Sequence, residues 1–191
     1  MNQDAVFSML QRVDLPPGAG DLPVPHYVDC FIRDAEDRAE EYDGRAGLER
    51  FIPSDCRYAY QVLLWLQQTA ATAPGAAFLE WGSGQGMVTI LASLAGYSAM
   101  GVEINEELLQ EARRLAERYD APARFVHGTY DKTVAGLKVF AADKQAVVYV
   151  YPWPGEESFF LRLFSATADP GAFLLVNLGP EDIHVYRKPE P

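Results

Sequence analysis

The sequence predicts an α/β protein with a doubly wound, mostly parallel sheet. Two observations lead to this prediction. From Phe78 onward, short apolar runs typical of buried strands alternate with amphipathic runs of helical spacing. The first of these strands also runs through a glycine-rich turn straight into a helix. Such alternation is typical of parallel sheets that carry helices on both faces.

The N-terminal residues 1–50 predict a helical extension packed on a domain formed by residues 51–191. Residues 1–12 have the spacing of a short amphipathic helix, and the Pro/Gly-rich residues 15–25 cannot continue it. Residues 29–42 predict an acidic helix with one apolar stripe. We interpret its acids as a solvated face; a lid over a cofactor is the alternative. The next helix is predicted to begin at Ser54, as its N-cap, and to end near Ala73.

The glycine-rich turn is the most informative segment of the chain. Gly82, Gly84 and Gly86 are spaced G-x-G-x-G, Ser83 lies between the first two, and Glu80 precedes them. Glycine lacks a Cβ atom, so this turn can bring its backbone close to a ligand. The helix after it begins with unpaired N–H groups that favour an anionic group. The turn therefore predicts a ligand site, and a tight turn without a ligand is the alternative.

The remaining elements follow in alternation. Asn105 is the predicted N-cap of a helix over residues 105–119, and a further helix covers residues 156–166. The last two strands are separated by too few residues for a crossover helix, so they are predicted to be antiparallel. The predicted strands after the first cover residues 99–103, 123–127, 146–151, 172–177 and 182–188.

The acid Glu103 ends the second strand, where it can accept hydrogen bonds from two ribose hydroxyls. With Glu80 and the glycine turn, it resembles the first motifs of class I S-adenosylmethionine (SAM)-dependent methyltransferases, E/D-x-G-x-G-x-G and a following acid. The resemblance implies a Rossmann-like sheet of strand order 3-2-1-4-5 plus a C-terminal antiparallel strand, with SAM as the cofactor.

The resemblance also implies roles for individual residues. Glu80 would lie near the SAM ammonium, and Glu103 would hold the ribose. Ile104 would pack on the adenine, which Gly128 and Thr129 would face through backbone or hydroxyl. The methionine portion would be wrapped by Gly82, Ser83, Gly84 and Gly86.

The fourth strand ends in Tyr151-Pro152-Trp153-Pro154, where enzymes of this class that methylate nucleic-acid amines carry D/N-P-P-Y/F. A phenol in place of Asp or Asn argues against base N-methylation. Pro152 and Trp153 are candidate substrate contacts, although Trp153 could equally fix a proline-rigid loop. Tyr151 is also a candidate cofactor contact. His127 and Tyr151 are the candidate general bases.

The composition restricts the class of methyl acceptor and the cellular compartment that the sequence predicts. A net charge of −11, with 16 dispersed Lys and Arg, disfavours nucleic acid and favours a small molecule or a protein side chain as acceptor. Cys30 and Cys56 are far apart, which predicts free buried thiols in a reducing cytoplasm and no metal site. No apolar run is long enough to span a membrane, and no signal pattern opens the chain.

The sequence therefore predicts a cytoplasmic SAM-dependent methyltransferase whose acceptor is unassigned. One alternative is a non-catalytic SAM or nucleoside binder that acts as a sensor or assembly protein. An NAD(P)-dependent oxidoreductase is a further alternative, but the glycine spacing differs from G-x-G-x-x-G and no Y-x-x-x-K pair is present.

Overall fold

The computed structural model describes residues 10–42, 55–69, 71–130 and 145–190. They form one seven-stranded sheet with helices on both faces. The strands are β1 (Gln11–Val13), β2 (Ala77–Trp81), β3 (Ser98–Glu103), β4 (Arg124–His127), β5 (Val147–Val150), β6 (Phe173–Gly179) and β7 (Asp182–Arg187). The helices are α1 (His26–Tyr42), α2 (Cys56–Gln68), α3 (Met87–Leu94), α4 (Glu106–Arg118) and α5 (Glu157–Thr167), with a 3-10 turn at Ala19–Asp21.

The strands lie in the order β1-β7-β6-β5-β2-β3-β4. Strands β2 to β6 are parallel, and β7 is antiparallel to both β6 and β1. This confirms the predicted doubly wound sheet and its antiparallel last strand. After β4 the chain returns to the other side of β2, so strand order reverses between β2 and β5. Ligands of open α/β sheets bind outside the strand carboxyl ends at such a point.

One strand was not predicted. Gln11 and Arg12, which the sequence assigns to a helix, form β1 and pair with Arg187 and Tyr186 of β7. A strand of three residues has too few positions to show a period, and its partner lies at the other end of the chain. Leu10 forms a bend before β1, and residues 1–9 of that predicted helix lie outside the described residues.

Two apolar layers enclose the sheet. Alternate residues of β2 point to opposite faces, as a pleated strand requires. Phe78 packs in the layer that includes Leu63 of α2. On the other face Trp81 packs in the layer of α5, where its ring stacks on Phe160 at a centroid distance of 5.8 Å. Because both faces are covered, all five residues of β2 are buried.

Helix α1 packs on the core rather than over the strand ends. Phe31, Ile32 and Ala35 of the predicted stripe are buried against residues of α3 and α4. Its charged side is paired as well as solvated: Arg38 donates to the buried Glu111 of α4 at 2.6 Å. The described part of α1 is therefore a docked structural helix, which argues against the lid alternative.

The N-cap of α2 is Asp55, not Ser54. Its Oδ1 accepts a hydrogen bond from the Tyr58 amide at 3.0 Å, and its Oδ2 accepts one from the Glu181 amide at 3.2 Å. The same carboxylate therefore caps the helix and ties it to the β6–β7 turn. Ser54 itself lies outside the described residues.

The two cysteines differ in their surroundings. Cys56 is buried, as predicted, and burial raises its thiol pKa. Cys30 is exposed, so the prediction of two buried thiols is wrong for this residue. It lies on the outer side of α1, next to the stripe rather than within it.

In the described ranges, no helix has the length and apolar character that a membrane crossing requires.

Candidate functional site

The glycine turn connects β2 to α3 at the centre of the sheet. Gly82, Gly84 and Gly86 have φ angles of 73°, 53° and 75°, in a backbone region that residues other than glycine rarely adopt. Below the turn, a Cβ atom on Gly101 would lie 2.6 Å from the Ser83 Cβ atom. The turn is therefore packed directly on the backbone of β3.

Several amides of the turn are already engaged within the protein. Those of Gly82 and Ser83 both donate to the Val102 carbonyl at 2.9 Å. The Gly84 amide donates to Glu103 Oε2 at 2.9 Å. At these three positions the turn offers a ligand close approach to its backbone rather than free N–H donors.

Glu103 is the acid at the tip of β3. It is buried, and its Oε1 accepts a second hydrogen bond, from the Asn105 amide at 2.8 Å. Two backbone amides therefore fix the carboxylate in place. A carboxylate has about four acceptor positions, so two remain for further donors such as hydroxyls.

The residues next to Glu103 form the rim of the site. Ile104 is 65% exposed, a large apolar side chain at a strand tip. The Nε2 atom of His127 lies 2.8 Å from the Ile104 carbonyl, so the ring donates its proton there. The Gly128 amide donates to the Glu103 carbonyl at 3.0 Å. His127 and Gly128 thus support this rim, and neither of these two nitrogens is free for a ligand.

Glu80 lies beneath the turn at the N-terminus of α3. Its Oε2 accepts hydrogen bonds from the Thr89 amide at 2.8 Å and the Thr89 hydroxyl at 2.5 Å. Burial raises its pKa to about 8, opposed by these hydrogen bonds and reinforced by the nearby Glu103. Glu80 therefore takes the capping role that Gly86, without a side chain, cannot supply. A contact with the SAM ammonium stays a prediction.

Solved structures of known proteins share this fold. No protein-family model matches the chain, and no curated protein matches its sequence. The chain is similar to an RNA methyltransferase from Salinibacter ruber in complex with S-adenosyl-L-homocysteine, with 20% identity, a TM-score of 0.53, and coverage of 68% of this chain and 92% of that one. It is also similar to the O-methyltransferase from Bacillus cereus in complex with SAH, with 14% identity, a TM-score of 0.53, and coverage of 81% and 67%. The chain has the Rossmann-like fold of class I methyltransferases.

In this fold the predicted site residues lie at or just beyond the carboxyl ends of β2, β3, β4 and β5. A hydrogen bond from the Gly84 amide joins the glycine turn to Glu103 at the carboxyl end of β3, and Thr89 joins Glu80 of β2 to the first turn of α3. Tyr151 and Trp153 are half-buried and Pro152 is buried directly after β5, the strand on the other side of β2. Thr129 lies beyond the end of β4.

Half of the buried side-chain polar atoms that have no hydrogen-bond partner among the described residues lie in this turn or directly before it, and the others, such as the Ser93 hydroxyl, lie elsewhere. Among the described residues none hydrogen-bonds the buried side-chain atoms of Gln85, the hydroxyl of Ser83 or the Nε1 of Trp81. A buried donor or acceptor without a partner costs about 1–3 kcal/mol. Three such side chains within five positions fit a turn that binds a polar ligand or ordered water. The sequence prediction missed Gln85, although its place between two glycines singles it out.

Tyr130 is a second residue that the prediction did not assign. Its hydroxyl oxygen would lie 3.7 Å from a Cβ atom at Gly82.

Among the described residues, no group of three or more His, Cys, Asp or Glu side chains could hold a metal ion.

Proposed function

We propose that the chain is a methyltransferase that binds SAM across the tips of β2 and β3. The observation that carries the proposal is the Glu103 carboxylate, which two amides hold at the end of β3 beside the exposed Ile104. An acid and an apolar platform at this place suit the ribose and the base of an adenosine. The unpartnered atoms of the glycine turn support a polar ligand next to them.

When bound, SAM supplies a methyl group already activated on a sulfonium, so the protein mainly needs to hold and orient both reactants. In the proposed arrangement Glu103 holds the ribose hydroxyls, Ile104 covers the adenine, and the turn from Gly82 to Gly86 accommodates the methionine chain. Tyr151, Pro152 and Trp153 form the wall nearest to an acceptor. Thr129 and Gly128 would line the adenine edge.

The acceptor that we propose is a small molecule or a protein side chain. The net charge of −11 opposes binding of a polyanion and favours a neutral or cationic group. The loop Tyr151-Pro152-Trp153-Pro154 also lacks the Asp or Asn that would hold an exocyclic base amine. One structure with this fold is an RNA methyltransferase, so RNA belongs among the acceptors tested.

One observation favours a non-catalytic SAM binder as the second candidate. His127, a predicted base, uses its Nε2 to hold the Ile104 carbonyl. The ring is thereby tethered to the rim and only its Nδ1 lone pair can accept a proton, so His127 through Nδ1 and Tyr151 stay the candidate bases.

A methyl-transfer assay separates these functions. Purified protein, SAM labelled in its methyl group, and a lysate divided into small-molecule, protein and RNA fractions would be incubated together. We expect label in the small-molecule or protein fraction, and about tenfold to hundredfold less of it with Glu103→Ala at a SAM concentration below the dissociation constant of the wild type. Calorimetric binding of SAM without transfer to any fraction would favour the binder, and binding of NAD in place of SAM would reject both.

A further inference from the structure

Tyr130 lies just beyond β4, against the sheet face that α5 covers. Its ring meets Phe160 edge-on at a centroid distance of 5.3 Å and an interplanar angle of 71°. Phe160 in turn stacks on Trp81, the last residue of β2. The tyrosine ring is therefore held at a fixed position below the glycine turn.

The Tyr130 hydroxyl points to the turn rather than to another side chain. Its oxygen and Cε1 would lie 3.7 Å and 3.9 Å from a Cβ atom at Gly82, which has none. No hydrogen bond joins this hydroxyl to any residue in the described part of the chain. Burial and the carboxylates of Glu103 and Glu156 raise its pKa, so the phenol is neutral near pH 7.

The order of the chemical groups in SAM indicates where its sulfonium would lie relative to Tyr130. In SAM the sulfonium joins the ribose to the amino-acid chain. If Glu103 holds the ribose and the glycine turn holds the amino-acid chain, the sulfonium lies between these two groups. The Tyr130 hydroxyl adjoins the turn at Gly82, and the Glu103 carboxylate is near enough for its charge to raise the pKa of Tyr130.

We propose that Tyr130 contacts the sulfonium of bound SAM and thereby distinguishes SAM from S-adenosylhomocysteine. This inference rests on the proposed function. The oxygen and the ring of a neutral phenol attract a cation and gain little from a neutral thioether. Tyr130 therefore favours the charged cofactor and assists release of the uncharged product.

The test compares the two ligands by calorimetry with wild type, Tyr130→Phe and Tyr130→Leu. Tyr130→Phe keeps the ring on Phe160 and removes only the hydroxyl. We expect it to weaken SAM binding about threefold to tenfold and S-adenosylhomocysteine binding less than twofold, and Tyr130→Leu to weaken SAM about tenfold to thirtyfold. Phe159→Leu is the matched control, because Phe159 meets the same Phe160 ring at 5.1 Å. Its ratio of the two affinities should equal that of wild type.

An unchanged affinity ratio in Tyr130→Phe and Tyr130→Leu would overturn the inference, whether both affinities fall or neither does. If Tyr130→Leu fails to fold, as thermal unfolding would show, the ratio in Tyr130→Phe decides. Wild-type protein that binds neither ligand would overturn the proposed function itself, so the two failures are distinguishable.

Discussion

At the residue scale, Glu80 is a buried side chain that caps α3 and whose predicted contact with a ligand depends on its protonation state. Its carboxyl group accepts the amide and the hydroxyl of Thr89, while the exposed fraction of the residue is only 5%. Burial disfavours the charged form, and the raised pKa of about 8 means that the folded protein holds this proton near pH 7. A cationic ligand group nearby would favour the charged form again.

The raised pKa makes stability depend on pH. From the unfolded value of 4.5 to about 8, the native state binds the Glu80 proton and the unfolded state releases it. The contribution of Glu80 to the free energy of unfolding is therefore full below pH 4.5 and decreases as pH rises toward 8, by at most about 1.4 kcal/mol per unit. Glu80→Gln removes this dependence, so urea unfolding at pH 5, 6, 7 and 8 should show wild type losing stability relative to the variant. If the free energies of unfolding of wild type and Glu80→Gln differ by the same amount at every pH, the pKa of Glu80 is not raised in the folded protein.

Helix α1 is the informative case at the element scale, because its pattern alone allows two interpretations. The apolar spacing predicts a buried stripe, and Phe31, Ile32 and Ala35 are fully buried. The same spacing does not reveal what the stripe packs against, which in the folded protein is α3 and α4. Local periodicity specifies a face of a helix, whereas the partner of that face is set by the fold as a whole.

The ion pair between Arg38 and Glu111 tests whether α1 is docked. Glu111 is 6% exposed and would keep only its bond to Arg114, so Arg38→Ala should lower the free energy of unfolding by about 1–2 kcal/mol. Arg33→Ala is the control, because Arg33 pairs with Asp29 on the same helix at 73% exposure and should cost less than about 0.5 kcal/mol. Urea unfolding measures both. Equal, negligible effects would mean that α1 is not held by this pair.

At the scale of the whole molecule, the sequence patterns predicted the central strands of the sheet but not the edge strand β1. The strand–turn–helix of β2 and α3 and the Asn105 cap of α4 are contiguous in sequence, and both are as predicted. Strand β1 and the bond between Asp55 and Glu181 join residues that lie at least 126 positions apart in the chain. No local pattern encodes such pairs. Tyr130 was missed for the same reason, since only the fold brings it to Gly82.

The proposed function depends on Glu103 as the acid that holds the ribose of SAM. Calorimetric titration of SAM into wild type, Glu103→Ala, Glu103→Gln and the control Glu107→Gln, which changes an acid in the first turn of α4, tests this most directly. Hydrogen bonds to a charged acceptor contribute about 1.5–3 kcal/mol, so we expect SAM binding by wild type and control, and affinities about tenfold to hundredfold lower for both Glu103 variants. Wild-type protein that does not bind SAM, or Glu103 variants that bind it as tightly as wild type, would contradict the account.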